Sequence, residues 1–208
     1  MATLLAFPAV ASAEPLKIVA MGDSLTQGYG LPPEQGFVPR LQAWLTSKGA
    51  DVTVVNAGVS GDTTAGGRAR ADWAMEPGTS ALILELGAND MLRGLDPAEA
   101  KANLSAILDR AKEKGLPVLL AGIAAPGNYG TDYRAAFDAM WPDLSAAYGT
   151  LLVTDFLGPV KDAVNAGTPM QDLVQEDGLH PNARGVDLIV QAIGPKVLEL
   201  VARAKARG

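Results

Sequence analysis

The 208-residue chain has no cysteine and a single histidine, His180. The missing cysteine removes disulfides, thiolate zinc sites and a thiolate nucleophile together. One histidine excludes a metal centre built on several imidazoles, and any mechanism that needs an imidazole base must use His180. Positive charge is also scarce: 17 Lys and Arg against 23 Asp and Glu leave a formal net charge of −6, with no cluster of basic residues. A protein that tracks phosphates needs a basic face, so no nucleic-acid partner is expected. Long apolar runs are missing as well. Leu4 to Val10 is the nearest, but it is short and broken by Pro8, so no integral membrane span is expected.

What is present is ordinary globular material, 48% hydrophobic and 19% charged, in an amount suited to one domain with a sizeable core. The first residues form an apolar stretch followed by Ala11-Ser12-Ala13, a small-residue cleavage pattern before Glu14. Residues 1–13 therefore read as a signal-peptide remnant without its positively charged leader, and residues 14–208 as the mature domain. The expectation is a periplasmic or secreted protein, with a cytoplasmic one as the alternative.

Short apolar runs alternate with longer helical patterns. Strands are expected at Lys17–Met21, Val52–Asn56, Ala81–Leu86, Val118–Ile123 and Leu151–Thr154, each rich in Val, Ile or Leu without strict alternation, as suits strands covered on both faces. Helices are expected near Val38–Lys48, Thr64–Trp73, Pro97–Lys114, Tyr133–Tyr148 and Ala183–Lys205. Asp96 and Pro97 make a helix start, and Gly115 with Pro117 a helix stop. This alternation predicts a three-layer α/β/α sandwich around a five-stranded parallel sheet, doubly wound and flavodoxin-like.

Open parallel sheets place ligand sites outside the carboxyl ends of their strands. Four loops fall there: Gly22-Asp23-Ser24-Leu25, Asn56-Ala57-Gly58, Gly87-Ala88-Asn89-Asp90 and Asp177-Gly178-Leu179-His180-Pro181. Acyl transfer needs a nucleophile, a base, a group that orients the base and donors for the oxyanion. Ser24, His180 and Asp177 can fill the first three roles, and the N–H groups of Ser24 and Gly58 with the Asn89 amide can fill the fourth. Each also has a structural reading: a turn serine, a buried hydrogen-bonded histidine, a capping aspartate, a turn glycine and an Asx-turn. Asp23 and Asp90 read as loop-organising acceptors, and Asp62-Thr63 as a helix cap.

Taken in order, GDSL around Ser24, NAGVSGDTT with Gly58, GAND with Asn89 and DGLHP with Asp177 and His180 resemble the SGNH (GDSL-type) hydrolase family. The four blocks span residues 22 to 181. ELGANDMLRG and PGNYGTDYRAAF are similar to its bacterial periplasmic branch of thioesterases, lysophospholipases and arylesterases, with Ala88 where that branch often has glycine. The resemblance implies Ser24 as nucleophile, His180 as base, Asp177 as its orienting acid, and Ser24, Gly58 and Asn89 as oxyanion hole. It also implies a serine esterase that forms a covalent acyl-enzyme, with no cofactor and no metal. Its substrate would be a small-molecule aryl or short-to-medium acyl ester, extending to thioesters and lysophospholipids met in transient contact with lipid.

A carbohydrate O-acetyl esterase would use the same residues, and a non-catalytic flavodoxin-like binding module would share the fold class. The binding module lacks a Walker loop or G-x-G-x-x-G to support it. Met91, Leu92 and Leu95, next to Asn89, are expected to line the acyl site, with plain core packing as the alternative.

Overall fold

The computed structural model describes residues 14–207, so the signal-peptide reading of residues 1–13 lies outside the described residues. Five strands, β1 (Leu16–Gly22), β2 (Val52–Gly58), β3 (Thr79–Glu85), β4 (Val118–Ala121) and β5 (Leu151–Val153), form one sheet in the order β2-β1-β3-β4-β5. All four pairings are parallel. Ile18 to Met21, Ala81 to Leu84 and the whole of β4 are buried, which is why their sequences run apolar rather than alternating.

The helices cover both faces. On one side the long α9 (Ala183–Lys205) packs against β1, β3, β4 and β5, with α2 (Phe37–Ser47) and α8 (Gly158–Asn165) beside it. On the other, α6 (Pro97–Glu113) packs between α3 (Thr64–Ala69) and α7 (Thr131–Tyr148). As expected, α6 starts at Asp96, whose side chain accepts the Ala98 N–H at 2.8 Å ahead of Pro97.

The chain leaves β1 toward β2, and later returns through β3 on the opposite side of β1. The sheet order therefore reverses between β1 and β3, and a crevice opens outside their carboxyl ends. Two short helices occupy that edge, α1 (Ser24–Gln27) after β1 and α5 (Ala88–Leu92) after β3. Both are too short for a hydrophobic period to announce them.

Some elements differ from expectation. The helix read as Thr64–Trp73 is two, α3 and α4 (Ala71–Ala74), parted at Arg70. That side chain turns to the sheet edge: its Nε pairs with Asp62 at 2.6 Å, and its Nη atoms donate to the carbonyls of Ala57 at 2.8 Å and Gly22 at 2.9 Å. Asp62 is thus the partner of Arg70, and Thr63 alone caps α3, accepting the Gly66 N–H at 3.3 Å. β4 stops at Ala121, before Gly122, where a Cβ would lie 2.7 Å from the Trp141 ring. Helix α8 had no clear sequence signal.

Candidate active site

Asp23 ends the turn out of β1 and caps α1, its Oδ1 accepting the Leu25 N–H at 3.0 Å. Ser24 follows as the first residue of α1. Its Oγ lies 2.8 Å from His180 Nε2, although the two residues are 156 positions apart. His180 Nδ1 lies 2.6 Å from Asp177 Oδ2. The other oxygen, Asp177 Oδ1, accepts the N–H groups of Leu179 at 2.9 Å and His180 at 3.0 Å. Burial pushes the Asp177 carboxyl upward, but those two N–H bonds and the imidazole outweigh it and hold the group down at about 2. The three side chains form one chain of hydrogen bonds.

The loop that carries His180 is pinned by its own backbone. Val174 and Pro181 form an antiparallel bridge, the Gln175 N–H donates to the His180 carbonyl at 2.8 Å, and Gly178 supplies the left-handed turn at φ +69°. Gln175 Nε2 then ties this loop to the α1 corner by donating to the carbonyls of Tyr29 at 2.8 Å and Pro181 at 3.0 Å. The Tyr29 ring packs on the imidazole with centroids 4.8 Å apart. Neither Gln175 nor Tyr29 carries a sequence signal.

Asn89 stands in the first turn of α5, and its Nδ2 donates to Asp23 Oδ2 at 3.2 Å. Its neighbour Asp90 is buried and accepts the Thr64 N–H at 2.8 Å and the Thr64 hydroxyl at 2.6 Å, the loop-organising part expected of it. Ser24, Asn89 and His180 share the wall of a cleft of about 320 Å³. Met91 and Leu92 line it as well, together with Ile123, Leu157 and Leu179, which the sequence reading did not single out.

Besides Asp177, which reaches the cleft only through its bond to His180, two expected site residues are not in that wall. Gly58 is the last residue of β2, and its N–H is taken by Asn56 Oδ1 at 2.9 Å. A Cβ there would meet the Gln27 backbone at 2.3 Å, so this glycine serves a close packing of two backbones. Gly61, three residues on, reaches the cleft instead, in a left-handed conformation at φ +82°. The N–H groups of Ser24 and Gly61 make no hydrogen bond among the described residues. Leu95 also stands outside the wall: the chain turns back after α5, and its N–H donates to the Asp90 carbonyl at 2.9 Å.

Behind the site lie two fully buried carboxyls. Glu85, the last residue of β3, sits in register beside Gly22 and accepts the Thr26 hydroxyl at 2.8 Å. Burial first, and then the charge of Asp23, push its carboxyl well above the usual range. Burial also pushes Asp23 up to about 6, against the opposing pull of the Leu25 and Asn89 hydrogen bonds and the His180 charge. Among the described residues, no group of three or more His, Asp or Glu side chains could hold a metal.

Residues 20–188 match the model of the GDSL-like Lipase/Acylhydrolase family. Esterase TesA of Pseudomonas aeruginosa is 38% identical over 185 residues, which cover 88% of this chain and 89% of that protein. Thioesterase 1/protease 1/lysophospholipase L1 of Escherichia coli K12 is 34% identical, with 88% of this chain and 84% of that protein covered. The crystal structure of AlinE4, an SGNH-hydrolase family esterase, superposes with a TM-score of 0.73 at 43% identity, over 91% of this chain and 98% of that one. With the family match and these similarities in agreement, the chain belongs to the GDSL-like lipase/acylhydrolase family.

Proposed function

We propose that the protein is a serine esterase that hydrolyses carboxylic esters with apolar acyl groups through an acyl-enzyme. The observation that carries this reading is the continuous chain from Ser24 Oγ to His180 Nε2 at 2.8 Å and from His180 Nδ1 to Asp177 Oδ2 at 2.6 Å. Asp177, held ionised, keeps the imidazole proton on Nδ1 and leaves the Nε2 lone pair for the serine proton. Ser24 Oγ attacks the ester carbonyl as its proton passes to His180. The imidazolium then protonates the leaving alcohol as the tetrahedral adduct collapses to the acyl-enzyme. A water repeats the sequence against the acyl-serine and releases the acid.

Charge developing on the carbonyl oxygen is met by the N–H groups of Ser24 and Gly61 and by Asn89 Nδ2, all on the same cleft wall. Apolar side chains from α5, from the loops after β4 and β5, from the histidine loop and from the α1 corner (Leu25 and Tyr29) make up most of the rest of that wall. This lining supports an acyl chain rather than a sugar. The test is a series of aryl esters from two to sixteen carbons, run beside an acyl thioester and an acetylated sugar. Turnover that peaks at medium chain length supports the reading, and activity confined to acetyl groups on sugars refutes it.

We also read the protein as exported to the periplasm, on the Ala11-Ser12-Ala13 cleavage pattern. A mature form that begins at Glu14 in the periplasmic fraction is the expected result. An uncleaved cytoplasmic form would overturn it.

A further inference from the structure

An oxyanion hole that uses a side-chain amide has an orientation problem, because Asn89 can present either its NH₂ or its carbonyl oxygen. Rotating the amide by half a turn would put a second negative dipole where the substrate oxygen gains charge. The only hydrogen bond of the Asn89 side chain among the described residues is Nδ2 to Asp23 Oδ2 at 3.2 Å. An ionised carboxylate only accepts, so it selects the NH₂ end. It engages one of the two Nδ2 protons, and the other remains available on the cleft side.

Asp23 is itself immobilised. It is fully buried, and its second oxygen is fixed by the Leu25 N–H at 3.0 Å. The charged groups whose fields reach it are His180, Asp62 and Glu85. Of these, His180 becomes positive as Ser24 attacks, so the Asp23 charge is matched at the moment the oxyanion forms.

We infer that Asp23 is a positioning residue that aims the Asn89 amide at the substrate oxygen, in addition to capping α1. This inference rests on the proposed serine-esterase reading, in which Asn89 is an oxyanion donor. Asp23→Asn is the direct probe. Its Oδ1 can still accept the Leu25 N–H, but its NH₂ would then face the NH₂ of Asn89. The Asn89 amide turns over to make a bond and withdraws its donor from the cleft.

The experiment is a double-mutant cycle on an aryl ester with wild-type, Asp23→Asn, Asn89→Ala and the double variant, with melting temperatures recorded alongside. Asp23→Asn alone should lower kcat at least as much as losing the donor outright, by roughly 10²–10³, with KM nearly unchanged and a melting temperature no lower than wild type. In the Asn89→Ala background the same substitution should cost less than about threefold, since there is no amide left to aim. Asp23→Ser keeps a helix cap but is too short to reach Asn89, and it should show the same dependence if Asp23→Asn folds poorly. Equal losses in both backgrounds, or an unchanged kcat in Asp23→Asn, would overturn the inference while leaving the esterase reading intact. A normal kcat in Asn89→Ala alone would remove Asn89 from the oxyanion hole and overturn the inference, whereas a wild-type protein that hydrolyses no ester would overturn the esterase reading.

Discussion

Replacing Asp177 with Asn is the sharpest test of how the base is oriented, because the surrounding backbone dictates what the new amide must do. In the wild type, Oδ1 accepts two N–H groups, from Leu179 and His180, and Oδ2 faces His180 Nδ1 at 2.6 Å. An Asn at this position keeps its oxygen on the two N–H groups, since turning the NH₂ toward them would leave three donors facing one another. Its NH₂ then points at Nδ1 and demands an acceptor there. The imidazole proton moves to Nε2, toward Ser24 Oγ, and the base has no lone pair for the serine proton. A wrong tautomer of this kind costs about 10⁴-fold in kcat, with little change in KM.

The fold should survive the substitution, since the loop is also held by the Val174–Pro181 bridge and by Gln175. Steady-state hydrolysis of an aryl acetate with circular dichroism on the same samples measures both effects. The wild-type profile carries a further check. Because Asp177 sits at about 2, its contribution to activity and stability should persist throughout pH 4–8 and fade only as pH falls toward 2. Asp177→Asn retaining more than about a tenth of wild-type kcat would refute the tautomer reasoning.

Stability should also follow the buried carboxyls. Asp23 titrates near 3.8 in the unfolded chain and at about 6 in the fold, so its own contribution to stability is greatest below about pH 4, declines as pH rises through 6, and levels off above it. That gap corresponds to about 3 kcal/mol, so Asp23→Asn should be more stable than wild type by up to that amount at pH 8 and no more stable at pH 3.5; denaturant melts at the two values check it. Gly61→Ala strains a left-handed backbone and shifts its N–H, and it should lower kcat with KM preserved; a raised KM at normal kcat would take Gly61 out of the oxyanion hole. For the acyl site, four further buried methylenes at about 0.8 kcal/mol each are worth roughly two orders of magnitude in kcat/KM. Leu92→Asp and Leu179→Asp, both at exposed cleft positions, should therefore depress octanoyl ester turnover selectively, and Leu95→Asp should spare acetyl and octanoyl esters alike.

The sheet was legible because strands buried on both faces must be continuously apolar, and Ile18 to Met21 or Ala81 to Leu84 have no other reading in an alternating α/β chain. That Ser24, Asn89, Asp177 and His180 come together was legible because their loops follow strands or close the chain onto the same edge. The error at Gly58 came from a boundary. β2 was expected to end at Asn56 and runs on to Gly58, so the loop that reaches the cleft begins later and brings Gly61 to it. Leu95 failed for a similar reason: α5 stops at Leu92, and the backbone folds back on Asp90 before the Asp96 cap of α6. Ile123, Leu157 and Leu179 come from three separate segments whose meeting depends on tertiary structure, and no local pattern marks them. The Asp23–Asn89 bond joins residues 66 positions apart, beyond the reach of any local pattern.

Turnover by the proposed mechanism acylates Ser24. A fluorophosphonate reacts with an activated serine to leave a stable phosphonyl ester, so peptide mapping by mass spectrometry after labelling reads the nucleophile directly. One phosphonyl group per chain is expected, on Ser24, with hydrolysis lost in proportion to labelling and no label on Ser24→Ala. Labelling of a different residue that tracks the loss of activity, or an active enzyme that takes no label, would contradict it.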